Sequence, residues 1–84
     1  MDYDADKVDA TVLALLHLTS FNEGPAIRAW KGQDWDVLNR LHQRGWIHDP
    51  KSKAKSVVMT EEGAQRSQRL FMEMFGTSSP EVHE

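Results

Sequence analysis

The apolar residues of the chain recur at two different spacings. Val8, Val12 and Leu15 stand three and four residues apart, which is the spacing of one face of an amphipathic helix. Elsewhere apolar and β-branched residues come in short runs, which are typical of strands. These spacings predict helices at residues 6–20, 34–44 and 60–75, a short strand at residues 26–31, and a hairpin between residues 46–48 and 55–59.

Capping residues and glycines mark where the segments begin and end. Thr60 is a natural N-cap for the last helix, and Gly76 ends that helix. Gly24 and Pro25 are expected to end the first helix, because glycine permits a left-handed cap and proline cannot continue the helix. The Asp-Pro pair at residues 49–50 suits a turn, which supports the predicted hairpin.

Three helices packed on a two- or three-stranded antiparallel sheet would bury every apolar face of this pattern. The sequence therefore predicts an α+β fold that is winged-helix-like. The support helix of a helix-turn-helix is missing or degenerate, because only residues 22–32 are available for it and they contain Pro25 and two glycines. Residues 1–76 are expected to form a single domain. Residues 77–84 are polar and aperiodic, which predicts a disordered tail.

The composition narrows the class of protein further. The chain has 84 residues, with 39% hydrophobic and 27% charged side chains, which indicates a soluble globular domain. Cysteine is absent, which excludes disulfides, cysteine-based zinc sites and thiol catalysis. The first residues are acidic, unlike a secretory signal, and no apolar run approaches the ~20 residues of a membrane span. We therefore expect a cytoplasmic protein without membrane contact.

Part of the sequence resembles winged-helix transcription regulators. In those proteins a recognition helix ends in a glycine, a wing hairpin follows, and a Leu-Thr-x-x-Gly element opens the last helix. Here Met59 stands in place of the leucine. The resemblance is carried by Leu38-x-x-Leu41-x-x-x-Gly45-Trp46-Ile47 and by Lys55-Ser56-Val57-Val58-Met59-Thr60-Glu61-Glu62-Gly63.

More closely, the chain resembles a family of small bacterial proteins classed as a domain of unknown function. This resemblance extends over nearly the whole chain up to Gly76. It is carried by Arg28-Ala29-Trp30-Lys31-Gly32-x-Asp34-Trp35-Asp36, Leu41-His42-x-x-Gly45, Asp49-Pro50 and Lys53-Ala54-Lys55-Ser56-Val57. No activity comes with the family, so the resemblance implies membership and leaves the function open.

Charge is unevenly distributed along the chain. Residues 1–27 carry a net charge of −4, residues 28–55 carry +4, and residues 56–84 carry −3. The basic middle comprises the second helix and the hairpin tip, which a winged helix presents to phosphates. The candidate nucleic-acid contacts are Arg40, Arg44, Lys51, Lys53 and Lys55.

Two alternatives account for the same basic residues without nucleic acid. Asp36 and Arg40 are four residues apart and could simply pair on one helix face. Lysines at a hairpin tip are also common because they protect edge strands from pairing with other chains.

The aromatic and histidine residues suggest core packing rather than chemistry. Trp30, Trp35 and Trp46 all fall in the middle third, and we expect two of the three to be buried. The histidines lack metal-ligand spacing, so neither a metal nor another cofactor is expected. The chain also lacks a nucleophile elbow, a P-loop and a dinucleotide loop, which predicts that it is not an enzyme.

Two functions remain. The favoured one is a protein-interaction or dimerisation module, because the last helix carries more apolar residues than one thin core accommodates. Its candidate interface residues are Leu70, Phe71, Met74 and Phe75. The partner would be a second copy or another protein. The alternative is a DNA-binding winged-helix regulator that uses the basic wing.

Overall fold

The computed structural model describes residues 2–30, 32–51 and 54–77. This part of the chain folds as an α+β domain that is winged-helix-like, as predicted, with three helices and a three-stranded antiparallel sheet. The elements in chain order are α1 (Ala5–Leu18), β1 (Ser20–Glu23), β2 (Ala26–Trp30), α2 (Trp35–Gln43), β3 (Ser56–Met59) and α3 (Glu61–Phe75). The predicted tail lies outside the described residues apart from Thr77.

Each helix begins at a capping side chain that the sequence supplies. Asp4, Asp34 and Thr60 each accept a hydrogen bond from a backbone N–H group in the first turn of their helix. Helix α1 ends earlier than predicted, because the hydroxyl groups of Thr19 and Ser20 donate to carbonyl groups of its last turn. Such side chains compete with the backbone for hydrogen bonds and end helices.

The strand β1 is an element that the sequence analysis missed. Gly24 and Pro25 form the turn between β1 and β2, with Gly24 at φ +59°, and do not end the first helix as expected. Phe21 pairs with Arg28 across this hairpin. The Ser-Phe-Asn-Glu sequence of β1 is too short and too polar to show a strand pattern by itself. Residues 20–30 thus form two strands where a helix-turn-helix would have its support helix.

Strand β3 pairs mainly with β2 rather than with residues 46–48. Ala29 of β2 lies opposite Val57 in a run of antiparallel pairs. Residues 46–48 contribute only an isolated bridge, from Ile47 to Met59. The predicted hairpin was therefore wrong as the principal pairing. An apolar run predicts a strand but not its partner, and β2 offers β3 the longer match.

The Thr-x-x-Gly element joins the end of α2 to the start of α3. The Thr60 hydroxyl donates to the carbonyl oxygen of Gly45 at 2.7 Å and accepts from the N–H of Gly63 at 2.9 Å. A Cβ atom on Gly63 would lie far inside the van der Waals distance of the Trp46 carbonyl oxygen. These residues therefore have a structural reason for their spacing, and that reason involves no ligand.

The core lies between the sheet and the helices. It is built from small and medium aliphatic side chains together with one methionine. Its buried members are Leu13, Leu16, Ala29, Val37, Leu38, Leu41, Ile47, Val57 and Met59.

The expectation that two tryptophans are buried was wrong. Trp30 is 54% exposed and Trp35 is 52% exposed, whereas Trp46 is half-buried against the core. Successive residues of a strand point to opposite faces, so the buried Ala29 places its neighbour Trp30 on the outer face of the sheet. There Trp30 lies 5.1 Å from the ring of Phe21.

Candidate functional site

Arg40, one of the predicted nucleic-acid contacts, binds a buried carboxylate of its own chain. Its Nε donates to Oδ2 of Asp9 at 2.7 Å, and its Nη2 donates to Oδ1 at 2.8 Å. Asp9 is only 1% exposed. Hydrogen bonding to Asp9, and after it to Tyr3, raises the pKa of Arg40 above its already high ordinary value. Arg40 therefore joins α2 to α1, with Asp9 and not the nearby Asp36 as its partner.

Arg44, the second predicted contact on α2, also pairs with the first helix. Its Nη2 lies 2.8 Å from Oδ1 of Asp6, and both side chains are largely exposed. The Arg44 guanidinium also lies 5.2 Å from the ring centre of Trp46, and the Arg66 guanidinium lies 4.7 Å from the same ring. The ring of Trp46 therefore lies next to two guanidinium groups, and these cation–π contacts stabilise the positions of all three side chains.

Arg28 shows the same pattern in the sheet. Its Nε donates to the Ser56 hydroxyl at 2.7 Å, and its Nη1 lies 3.6 Å from Oε1 of Glu23. Three arginines of the basic middle thus pair with carboxylates from residues 1–27. Much of the charge asymmetry in the sequence serves pairing within the chain.

The predicted lysine contacts that the structure describes are Lys51 and Lys55. Lys51 and Lys55 are exposed, and within the described residues their side chains have no hydrogen bond or ion pair. The backbone N–H of Lys51 donates to Oδ1 of Asp49 at 2.9 Å. Lys53 lies outside the described residues. Of the four predicted contacts that the structure describes, Arg40 and Arg44 are therefore paired with carboxylates, and Lys51 and Lys55 are not.

The C-terminal part of α3 exposes large apolar side chains. Met72 is 58% exposed and Phe75 is 50% exposed, and Met74 and Leu18 are exposed as well. The ring of Phe71 lies 5.3 Å from Phe75 and 5.3 Å from His17, which precedes Leu18 at the end of α1. We call this surface the apolar end. Its members are Leu18, Phe71, Met72, Met74 and Phe75.

The predicted interface residues occupy three different environments. Leu70 packs against the core and Phe71 is half-buried, whereas Met74 and Phe75 are exposed. Sequence reasoning missed Met72 because it lies beside the predicted apolar stripe and not on it. It also missed Leu18, because this surface joins residues that are more than fifty positions apart.

Two opposite charges border the apolar end on α3. Arg69 and Glu73 are both exposed, and neither side chain has an ion-pair partner within the part of the chain that the structure describes. They are four residues apart on one helix face, but in the order that favours pairing least. Two turns earlier, Arg66 and Glu62 do form an i,i+4 pair, at 3.6 Å.

A groove of about 670 Å³ lies between the β1–β2 turn and the first half of α3. Its lining includes Ile27, Met59 and Ala64, with His48 and Glu61 among the polar groups. Over residues 2–30, 32–51 and 54–77, no three histidine, aspartate or glutamate side chains are placed to hold a metal ion. Among those same residues, no helix is both long and apolar enough to cross a membrane.

The fold and its surfaces define a small winged-helix-like domain with an exposed apolar helix end. The chain belongs to the family described as Domain of unknown function (DUF6429), whose family model matches residues 4–77. A protein of Sinorhizobium fredii, described as "Uncharacterized protein y4hR", is 53% identical to it over 75 residues. That alignment covers 89% of this chain and 97% of the relative. No solved structure matches the chain.

These comparisons confirm the small bacterial family of unknown function that the sequence resembles. The matched segment contains the apolar end and all three arginines that pair with the first third of the chain. Both features therefore belong to the family domain and not to a segment outside it.

Proposed function

We propose that the chain is a non-enzymatic protein-interaction module and that the apolar end is its contact surface. The observation that carries this proposal is the exposure of Met72, Met74 and Phe75 together in the last turn of α3. Monomeric soluble proteins rarely expose contiguous apolar patches larger than roughly a few hundred Å², and patches above that size mark interaction sites. Methionine and phenylalanine are also enriched in the buried centres of protein interfaces.

The pairing of the arginines supports this function over nucleic-acid binding. Arg40 and Arg44 hold Asp9 and Asp6, so a phosphate would have to compete with carboxylates for them. The competition is hardest at Arg40, because its departure would leave the buried Asp9 carboxylate unpaired.

The test is site-specific photocrosslinking in the bacterial host. A benzophenone amino acid replaces Met72 in one variant and Trp30 in a matched variant, since both positions are more than half exposed. Because the apolar end is the proposed contact surface, we expect a protein adduct at position 72 and none at position 30. Mass spectrometry identifies the crosslinked protein.

The adduct should also depend on the rest of the apolar end. Adding Phe75→Gln to the position-72 variant should abolish it, while adding Gln65→Ala, on the same helix but away from the apolar end, should leave it intact. An adduct at position 30 alone, or an equal yield at both positions, would show that the apolar end is not the contact surface.

DNA binding through the wing is the alternative, and the free side chains of Lys51 and Lys55 favour it. Such binding would be dominated by phosphate contacts and would weaken steeply as salt is raised. A duplex titration followed by NMR at low and physiological salt tests it. Salt-sensitive shifts at the two lysines, lost in the double variant Lys51→Glu, Lys55→Glu, would support it, and unchanged spectra at low salt would exclude it.

A further inference from the structure

We infer that the partner of the apolar end is a second copy of this chain, bound through antiparallel pairing of the two α3 helices near Met72. This inference rests on the proposed function and names the partner for the same surface. It is carried by three observations together: the exposed apolar centre, the charge of each sign beside it, and the lack of a partner for either charge within the described residues.

An interface between identical copies must be complementary to itself. Under twofold symmetry the same patch lies on both chains. If one residue of the first copy contacts a different residue of the second copy, the same pair is also in contact with the copies exchanged. A patch with a single sign of charge would repel its copy. The apolar end is bordered by Arg69 and Glu73, one of each sign, so it meets this requirement.

The helical positions make the pairing geometrically consistent. Residues 69, 72 and 73 lie on one helix face, since they are three and four positions apart. When two antiparallel helices cross at Met72, Glu73 of one copy lies opposite residue 71 of the other. Arg69 of that other copy is then two residues away, which is about 3 Å along the helix axis. Each arginine can therefore reach the glutamate of the other copy, and Phe75 lies opposite Arg69.

The apolar centre supplies the driving force for this pairing. Met72 lies at the crossing point and is exposed in the single chain, so it loses solvent contact when the copies meet. Methionine is flexible and adapts its shape to a second methionine across a symmetry axis. Arg66 cannot serve in place of Arg69, because it already lies over Trp46 and beside Glu62.

Mixing two charge variants tests the inference directly. In Arg69→Glu every charge at the interface is negative, and in Glu73→Arg every charge is positive. Each variant alone should raise the dissociation constant of the dimer about tenfold or more, because like charges then face each other. An equimolar mixture should recover the association, since every new glutamate then meets a new arginine of the other variant.

The measurement is sedimentation equilibrium of the purified full chain, from about 1 µM to about 1 mM, which spans weak and moderate affinities. The mixture is compared with each variant alone, and circular dichroism establishes that both are folded. If Arg69 and Glu73 acted only within one helix, mixing would change nothing, and the inference would be overturned. A chain that stays monomeric throughout would overturn it as well.

A matched apolar pair locates the interface independently of the charges. Met72→Glu should dissociate the dimer, whereas Trp30→Glu, at an equally exposed position on the sheet, should leave the dissociation constant unchanged. The reverse result would place the interface on the sheet and refute the inference. The purified chain could be monomeric while position 72 still crosslinks to a different protein in the cell. That combination would refute this inference and would still support the proposed function.

Discussion

The two halves of α3 differ in the contacts that they make with the rest of the chain, although the same apolar periodicity runs through both. In the first half, Thr60 binds the carbonyl of Gly45, and Gly63 lies against the backbone of Trp46. Ser67 then donates its hydroxyl hydrogen to the carbonyl oxygen of Leu13 on α1, at a fully buried position. This half uses small residues and defined hydrogen bonds, and these three contacts join α3 to α1 and to the end of α2.

The second half of α3 carries larger side chains and buries less of their surface. Met72, Met74 and Phe75 keep much of their surface in water. A helix that served only the fold could hold polar residues at these positions without loss of core packing. The difference indicates that folding determines the first half of the helix, and it leaves the exposed apolar residues of the second half without a full role in core packing, which is the basis of the proposed contact.

The largest expected effect is at the tightest point of the first half. Gly63→Ala places a Cβ atom on the Trp46 carbonyl oxygen, which is backbone and cannot move aside. We expect the free energy of unfolding to fall by more than about 5 kcal/mol, which is enough to unfold a marginally stable small domain. Urea denaturation measures it. Gly32→Ala is the control, since its Cβ meets no atom within 4 Å and should change stability by less than about 1 kcal/mol.

The next largest loss of stability is expected at α2, where a buried and an exposed arginine ion pair can be compared. Arg40→Met leaves the buried carboxylate of Asp9 without its partner, which we expect to cost about 3–5 kcal/mol. Arg44→Met removes an exposed pair with Asp6 and should cost less than about 1 kcal/mol. Thermal and urea unfolding of both variants compare the costs. Equal losses would mean that burial does not separate the two ion pairs.

A smaller effect is expected at the cap of α3. Thr60→Val keeps the shape of the side chain but removes two hydrogen bonds, to Gly45 and from Gly63, at a cost of about 1–2 kcal/mol. Thr11→Val is the control, because its hydroxyl bonds only within α1 at an exposed position. If the two variants lose the same stability in urea, the junction at Thr60 does not hold α3 in place.

The smallest effect on stability is expected in the second half of α3. Met72→Gln removes mostly exposed apolar surface and should change the unfolding free energy of the monomer by about 0.5 kcal/mol or less. Phe75→Gln also removes the ring contact with Phe71 and should cost about 0.5–1 kcal/mol. The measurement uses dilute protein, so that association does not contribute. Losses comparable with that of Thr60→Val would show that both halves serve the fold, and the comparison would fail.

Local signals in the sequence were enough to predict the helices and the identity of the family. Thr60 caps its helix as expected, because an N-cap bonds to its own first turn and depends on nothing distant. The Thr-x-x-Gly element could also be recognised by its spacing. Its physical reason, the closeness of Gly63 to Trp46, became visible only in the fold.

Residues distant in sequence decided the rest. Strand β1 exists because β2 pairs with it, and neither its length nor its pattern indicates a strand. Arg40 bonds to Asp9, thirty-one positions away, and not to Asp36 on its own helix. The apolar end likewise joins the end of α1 to the end of α3. Periodicity and capping report interactions within a few residues, so the sequence determined the helices and the motifs. Pairing, burial and exposure depend on which surfaces meet, and only the tertiary structure decided those.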